Sequence, residues 1–120
     1  MRRTSVLLSL FAALTLAWLA TDASAASNPV NEQFTAMSPD DRGQRIATML
    51  ASRGQACSSI RRELFQGQLP DGTALWSFSC VAGADHQLVI LANQDIRLIA
   101  CEDVAKNPNL LACFAKVPSK

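Results

Sequence analysis

With 120 residues, 49% of them hydrophobic, and 11 basic against 10 acidic side chains, the chain has room for one modest core and carries a formal net charge of only +1. That balance argues against a nucleic-acid ligand or an anionic membrane surface, both of which call for clustered positive charge. Beyond the first three residues the only adjacent bases are Arg61 and Arg62, and Glu63 follows them, so they read as an ordinary solvated face.

The chain opens Met1-Arg2-Arg3, runs through apolar residues from Val6 to Ala20 and reaches Ala23-Ser24-Ala25. A basic start, an apolar middle and an Ala-x-Ala end are the parts of a secretory signal peptide. The apolar run falls short of the roughly 20 residues that span a bilayer, which weighs against an uncleaved anchor. The expectation is cleavage after Ala25, a periplasmic or secreted product and no stable membrane anchor. Residues 26–37 then read as a flexible leader, with Phe34 and Met37 able to dock, and residues 38–118 as one small disulfide-bonded domain.

Ser38-Pro39-Asp40-Asp41 is a helix start. Ser38 can accept from the Asp41 amide as N-cap, Pro39 suits the first helical position, and the two acids complement the helix dipole. The helix should reach about Arg53, with Gly54 in the left-handed position beyond it. Ile46, Met49, Leu50 and Arg53 form its inner stripe, with Arg42, Gln44 and Arg45 largely elsewhere. Residues 57–65 favour a bulged strand, although a helical extension is also open. Gly67-Gln68-Leu69-Pro70-Asp71-Gly72 is turn chemistry.

Three apolar runs follow. Thr73–Cys80 sets Ala74, Trp76, Phe78 and Cys80 on one face and Leu75, Ser77 and Ser79 on the other. His86–Asn93 is apolar on both faces, as a central strand should be. Ile96–Cys101 alternates Ile96, Leu98 and Ala100 with Arg97 and Ile99. Asn107-Pro108 reads as a second helix start, ahead of Leu110, Leu111, Cys113 and Phe114. The expected fold class is α+β: an N-terminal helix on a four-stranded antiparallel meander, with a short C-terminal helix tethered by a disulfide.

All four cysteines, Cys57, Cys80, Cys101 and Cys113, lie beyond the signal segment, and an even number in an exported chain reads as two disulfides. A hairpin turn at 67–72 brings residue 57 opposite residue 80, so Cys57–Cys80 with Cys101–Cys113 is preferred. The main rival is Cys80–Cys101 with Cys57–Cys113. No Cys-x-x-Cys is present for thiol exchange, tight zinc pairing or haem attachment.

No other motif carries chemistry. His86 has only Asp85 beside it, and neighbours on a strand face opposite ways, so it reads as a turn-edge or surface histidine. The serines lack a Gly-x-Ser-x-Gly elbow, and Asp40-Asp41 and Glu102-Asp103 lack an apolar pocket. No catalytic residue, metal ligand or cofactor is assigned. The open question is the second sheet face, Leu75, Val89, Leu91 and Ile99: covered by the chain's own tail, or a partner or dimer surface. Trp76 reads as core, or at an edge as a partner anchor. The functional expectation is a non-enzymatic binding or accessory protein acting on another exported protein through a sheet face or edge. A small redox or metal-handling protein and a subunit of an exported enzyme are the alternatives, and a homodimer stays open.

Overall fold

A computed structural model describes residues 26–119, so the expected signal segment lies outside it. Two helices, α1 (Pro29–Ala36) and α2 (Pro39–Ser52), precede four strands: β1 (Ile60–Gln68), β2 (Ala74–Cys80), β3 (His86–Ile90) and β4 (Ile96–Ala100). A five-residue helix, α3 (Cys101–Ala105), follows β4 directly. The strands form one antiparallel meander in the order β1-β2-β3-β4, so the α+β class read from the pattern is the one observed.

Residues 26–37 are not a leader. Pro29–Ala36 is helical because Asn28 caps it, accepting from the Asn31 amide, and Pro29 occupies the first turn. The Asn28 side chain also donates to the carbonyls of Gly72 and Ile90, at 2.9 and 3.0 Å, and so ties the start of α1 to the β1–β2 turn and to the end of β3. Asn31 accepts from the indole nitrogen of Trp76 at 2.8 Å. Phe34 meets Trp76 edge-on at 5.1 Å between centroids, a favoured aromatic geometry. The packing on the sheet therefore reaches back at least ten residues before the helix start at Ser38.

The second helix is capped as its sequence dictates, Ser38 accepting from Asp41. Ile46 and Leu50 are fully buried, with Met49 packed against the same cluster. Arg42 departs from its assignment to the outer face: it is buried against the sheet. The core between helices and sheet comprises Phe34, Ile46, Leu50, Ala74, Trp76, Phe78, Cys80, Leu88 and Ile90.

Element boundaries move where turns outcompete apolar runs. The first strand begins at Ile60, not Cys57, and continues through Gly67 and Gln68, with irregular register on both sides of Arg61 and of Gln66. Gly67 sustains this at φ +132°, and Val117 packs where a side chain would stand. The turn proper is Leu69–Thr73, where the Asp71 carboxylate accepts from the Thr73 amide, a bond that lowers its pKa. The third strand stops at Ile90, because Leu91 closes the next turn onto Asp95. The last helix sits at Cys101–Ala105, six residues before the Asn107-Pro108 start expected for it; Cys113 lies in an irregular tail.

Both disulfides pair as preferred. Cys57–Cys80 closes the open end of the β1–β2 hairpin, with Cα atoms 5.3 Å apart, and Cys101–Cys113 draws the tail back to α3 at 5.9 Å. Such bridges belong to an oxidising compartment. Among the described residues no helix is long and apolar enough to cross a membrane.

The tail covers much of the second sheet face through polar contacts. Gln66, left over at the β1 irregularity, is buried and accepts on Oε1 from Ser77 Oγ and Gln87 Nε2. Its amide donates to the carbonyls of Ala112 and Ala115, and Gln87 donates to that of Leu111. Ser77 Oγ accepts from the Phe114 amide at 3.0 Å. The tail is thus sewn down by three side chains that are themselves bonded to one another.

Two stability outcomes follow. Asn31→Ala leaves the buried Trp76 N–H without its partner and should lower unfolding free energy by about 1–3 kcal/mol, read as a drop in the urea midpoint. Replacing both Cys101 and Cys113 by serine should cost on the order of 3 kcal/mol in the loop-closure account and accelerate amide exchange at residues 111–117, with the β1–β2 amides little changed.

Candidate functional site

The first strand lies at one edge of the sheet. An edge strand turns every second amide and carbonyl away from its partner, toward whatever lies outside. The C-terminal half of this edge is taken by the chain itself: the Val117 amide donates to the Gln66 carbonyl at 2.7 Å and Lys116 Nζ to the Phe65 carbonyl at 2.9 Å. The N-terminal half, residues 60–63, instead borders an open groove of about 650 Å³, together with residues 57–59 that precede the strand.

The facing wall is α2. Gly43, Ala47 and Ala51 recur at helical spacing on the flank that looks at β1, with Gln44 and Thr48 above them. Their small size makes the hollow. At its base Gly43 approaches Ile60 so closely that an added Cβ would stand 3.3 Å from the Ile60 Cβ, which brings the helix down onto the strand. Pro39 and Asp40 stand at one end, and Cys57, Ser58 and Ser59 at the other.

Charge is divided unevenly here. Glu63 points inward and is held by Arg42, whose Nη2 lies 2.6 Å from Oε1 and whose Nε lies 3.1 and 3.2 Å from the two carboxylate oxygens. Arg42 Nη1 also donates to the carbonyls of Thr35, at 3.1 Å, and Met37, and the guanidinium lies 5.2 Å from the Trp76 ring centroid. The Glu63 bonds raise the Arg42 pKa. With Glu63 occupied, Arg61 and Arg62 have no carboxylate partner among the described residues. The Arg62 guanidinium is parked over the Phe114 ring, 4.2 Å from its centroid, and Arg61 is exposed.

The residues singled out from the sequence fall in different places. Trp76 is buried beneath α1 and α2, on the face away from Leu75, and cannot anchor a partner. Leu75 is buried as well, directly opposite Val89. Val89 and Ile99 remain half-exposed beside the tail on that face, whereas Leu91 has left the strand for a turn. His86 is at a turn edge but not on the surface: it is 3% exposed, with Nδ1 2.9 Å from the Ala84 carbonyl oxygen. All four cysteines are bridged. Among the described residues no cluster of three or more His, Cys, Asp or Glu side chains could hold a metal ion. No buried side-chain polar atom among them lacks a partner.

The groove was not anticipated from sequence. Its one legible trace is the spacing of Gly43, Ala47 and Ala51, which marks a thin helix flank without saying what lies opposite. The fold is a small, disulfide-stapled α+β domain whose sheet has two edges, β4 and β1, and at β1 the tail covers one half while the other half borders the groove. Comparison with protein-family models, with curated proteins and with solved structures finds no match.

Replacing Arg42 by methionine would leave Glu63 without its counter-charge, 21% exposed as it is. The cost should be on the order of 2 kcal/mol, less than for a fully buried pair because solvent reaches the carboxylate. Urea denaturation of R42M beside the double variant R42M/E63Q, which should recover part of the loss, measures it.

Proposed function

We propose that the chain is an exported, non-enzymatic binding protein that acts on another exported protein through the outer edge of β1 and the groove between β1 and α2. The observation that carries this reading is the half-covered edge. Residues 65–67 are bonded or packed against by the tail, while residues 57–63 border an open hollow walled by small side chains. Proteins blunt or cover sheet edges that have no use, because a bare edge invites association. Grooves between an edge strand and a helix are a recurrent mode of peptide recognition.

The other traits agree. The start of the chain has the pattern of a secretory signal peptide, and two disulfides suit a periplasmic or extracellular working place. The buried polar side chains are spent on architecture: Asn28, Asn31, Gln66, Ser77 and Gln87 each hold one segment to another.

A photoreactive benzoylphenylalanine at Thr48, exposed on the groove, tests the reading in the native host. A discrete cross-linked protein is expected from Thr48 and should disappear when Ala51→Trp fills the groove, the variant's fold being checked by circular dichroism. A cross-link that survives Ala51→Trp, or one obtained only with the photoreactive residue at Val89, would move the site to the second sheet face and overturn the assignment.

A further inference from the structure

Resting on that reading, we infer that the occupant of the groove is an extended segment that adds to the sheet as a strand beside β1, with acidic side chains toward Arg61 and Arg62 and apolar ones toward α2. Three observations bear on what fits. First, the edge offers peptide groups in series, and an extended backbone is the shape that meets them in register. The chain itself meets this edge at one peptide group: the Val117 amide donates to the Gln66 carbonyl, beside the Lys116 side chain on the Phe65 carbonyl.

Second, side chains of an added strand alternate between two faces. One face meets the hollow over Gly43, Ala47 and Ala51, where the lost bulk of the helix flank leaves space for apolar side chains of moderate size. The other stands over the side of the sheet on which Arg62 rests against Phe114.

Third, the charge is unbalanced. The Arg61-Arg62-Glu63 run is nearly neutral on paper, but Arg42 withdraws Glu63 to the helix side and leaves two guanidinium groups at the groove. The Arg62 group is already ordered by its aromatic partner, which lowers the entropy lost when it engages a carboxylate. The other charged side chains at the groove are Asp40, on the α2 wall, and Glu63, which is already paired with Arg42. The strand side therefore favours acidic residues, and alternation makes the recognised pattern acidic and apolar by turns. Complementarity of this kind sets partner choice and encounter rate more than raw affinity.

The test is selection from a displayed library of random octapeptides on the oxidised chain purified from the periplasm of an expression host. Sequences alternating Asp or Glu with Val, Ile or Leu should be enriched. A synthetic peptide of the enriched sequence should perturb the amide resonances of residues 60–64 and of Gly43, Ala47 and Ala51, and should lose about tenfold in affinity against Arg61→Glu/Arg62→Glu, as two exposed ion pairs allow. Both arginines are exposed, but Arg62→Glu gives up the contact with Phe114, so the urea midpoint should fall slightly, with Arg61→Glu alone keeping that of the parent. Enrichment of uncharged, basic or proline-rich sequences, binding indifferent to the charge reversal, or no enrichment would overturn the inference. If the Thr48 cross-link is nonetheless lost with Ala51→Trp, the binding role stands and only the acidic-strand occupant is wrong.

Discussion

The arrangement of the groove depends on Arg42. One guanidinium holds Glu63 of β1, caps the carbonyls of Thr35 and Met37 where α1 ends, and lies near the Trp76 ring. It thereby joins both helices to the edge strand from beneath. Desolvating an arginine is costly unless its donors are met, and here they are met from three directions. The same bond decides the electrostatics outside. By taking Glu63 inward it converts a balanced run of charges into a cationic strand edge.

A second constraint is the sheet itself. Four strands with apolar residues on both faces must be covered on both. Two helices cover one face by apolar packing around Trp76 and Phe78. The other is covered in large part by an irregular tail, which has carbonyls and amides to satisfy and no helix to satisfy them. Gln66, Ser77 and Gln87 supply the partners, and the Cys101–Cys113 bridge keeps the tail within reach. Buried networks of this sort are stabilising only when every member is bonded, as every member is here.

Local chemistry made much of this legible. The Ser38 cap, the Ile46, Met49 and Leu50 stripe of α2 and the face carrying Trp76 and Phe78 follow from short-range rules, whereas Arg53, read into that stripe, is exposed beyond the helix end, and the disulfide pairing was chosen over a rival through the hairpin. What escaped depends on partners distant in sequence. Residues 26–37 are polar, and their helix is anchored by Asn28 and Asn31, whose roles depend on Gly72, Trp76 and Ile90. Arg42 was assigned outward because a charge on a helix normally is; Glu63, 21 residues on, reverses that. The strand was read to stop at Phe65 because turn chemistry starts at Gly67, yet the glycine lets the strand run on to Gln68 and makes Gln66 the hub of the tail contacts. The groove was the least legible feature, since it is a space between two elements and no residue type announces it.

Residue-resolved amide exchange of the free protein and of its complex with the partner captured at Thr48 addresses the central claim most directly. Protection gained at the outward-facing amides of residues 60–64, with the amides around Val89 and Ile99 unchanged, is the result expected of a segment seated on the β1 edge. Protection gained around Val89 and Ile99 instead, with residues 60–64 exchanging as in the free protein, would contradict the account.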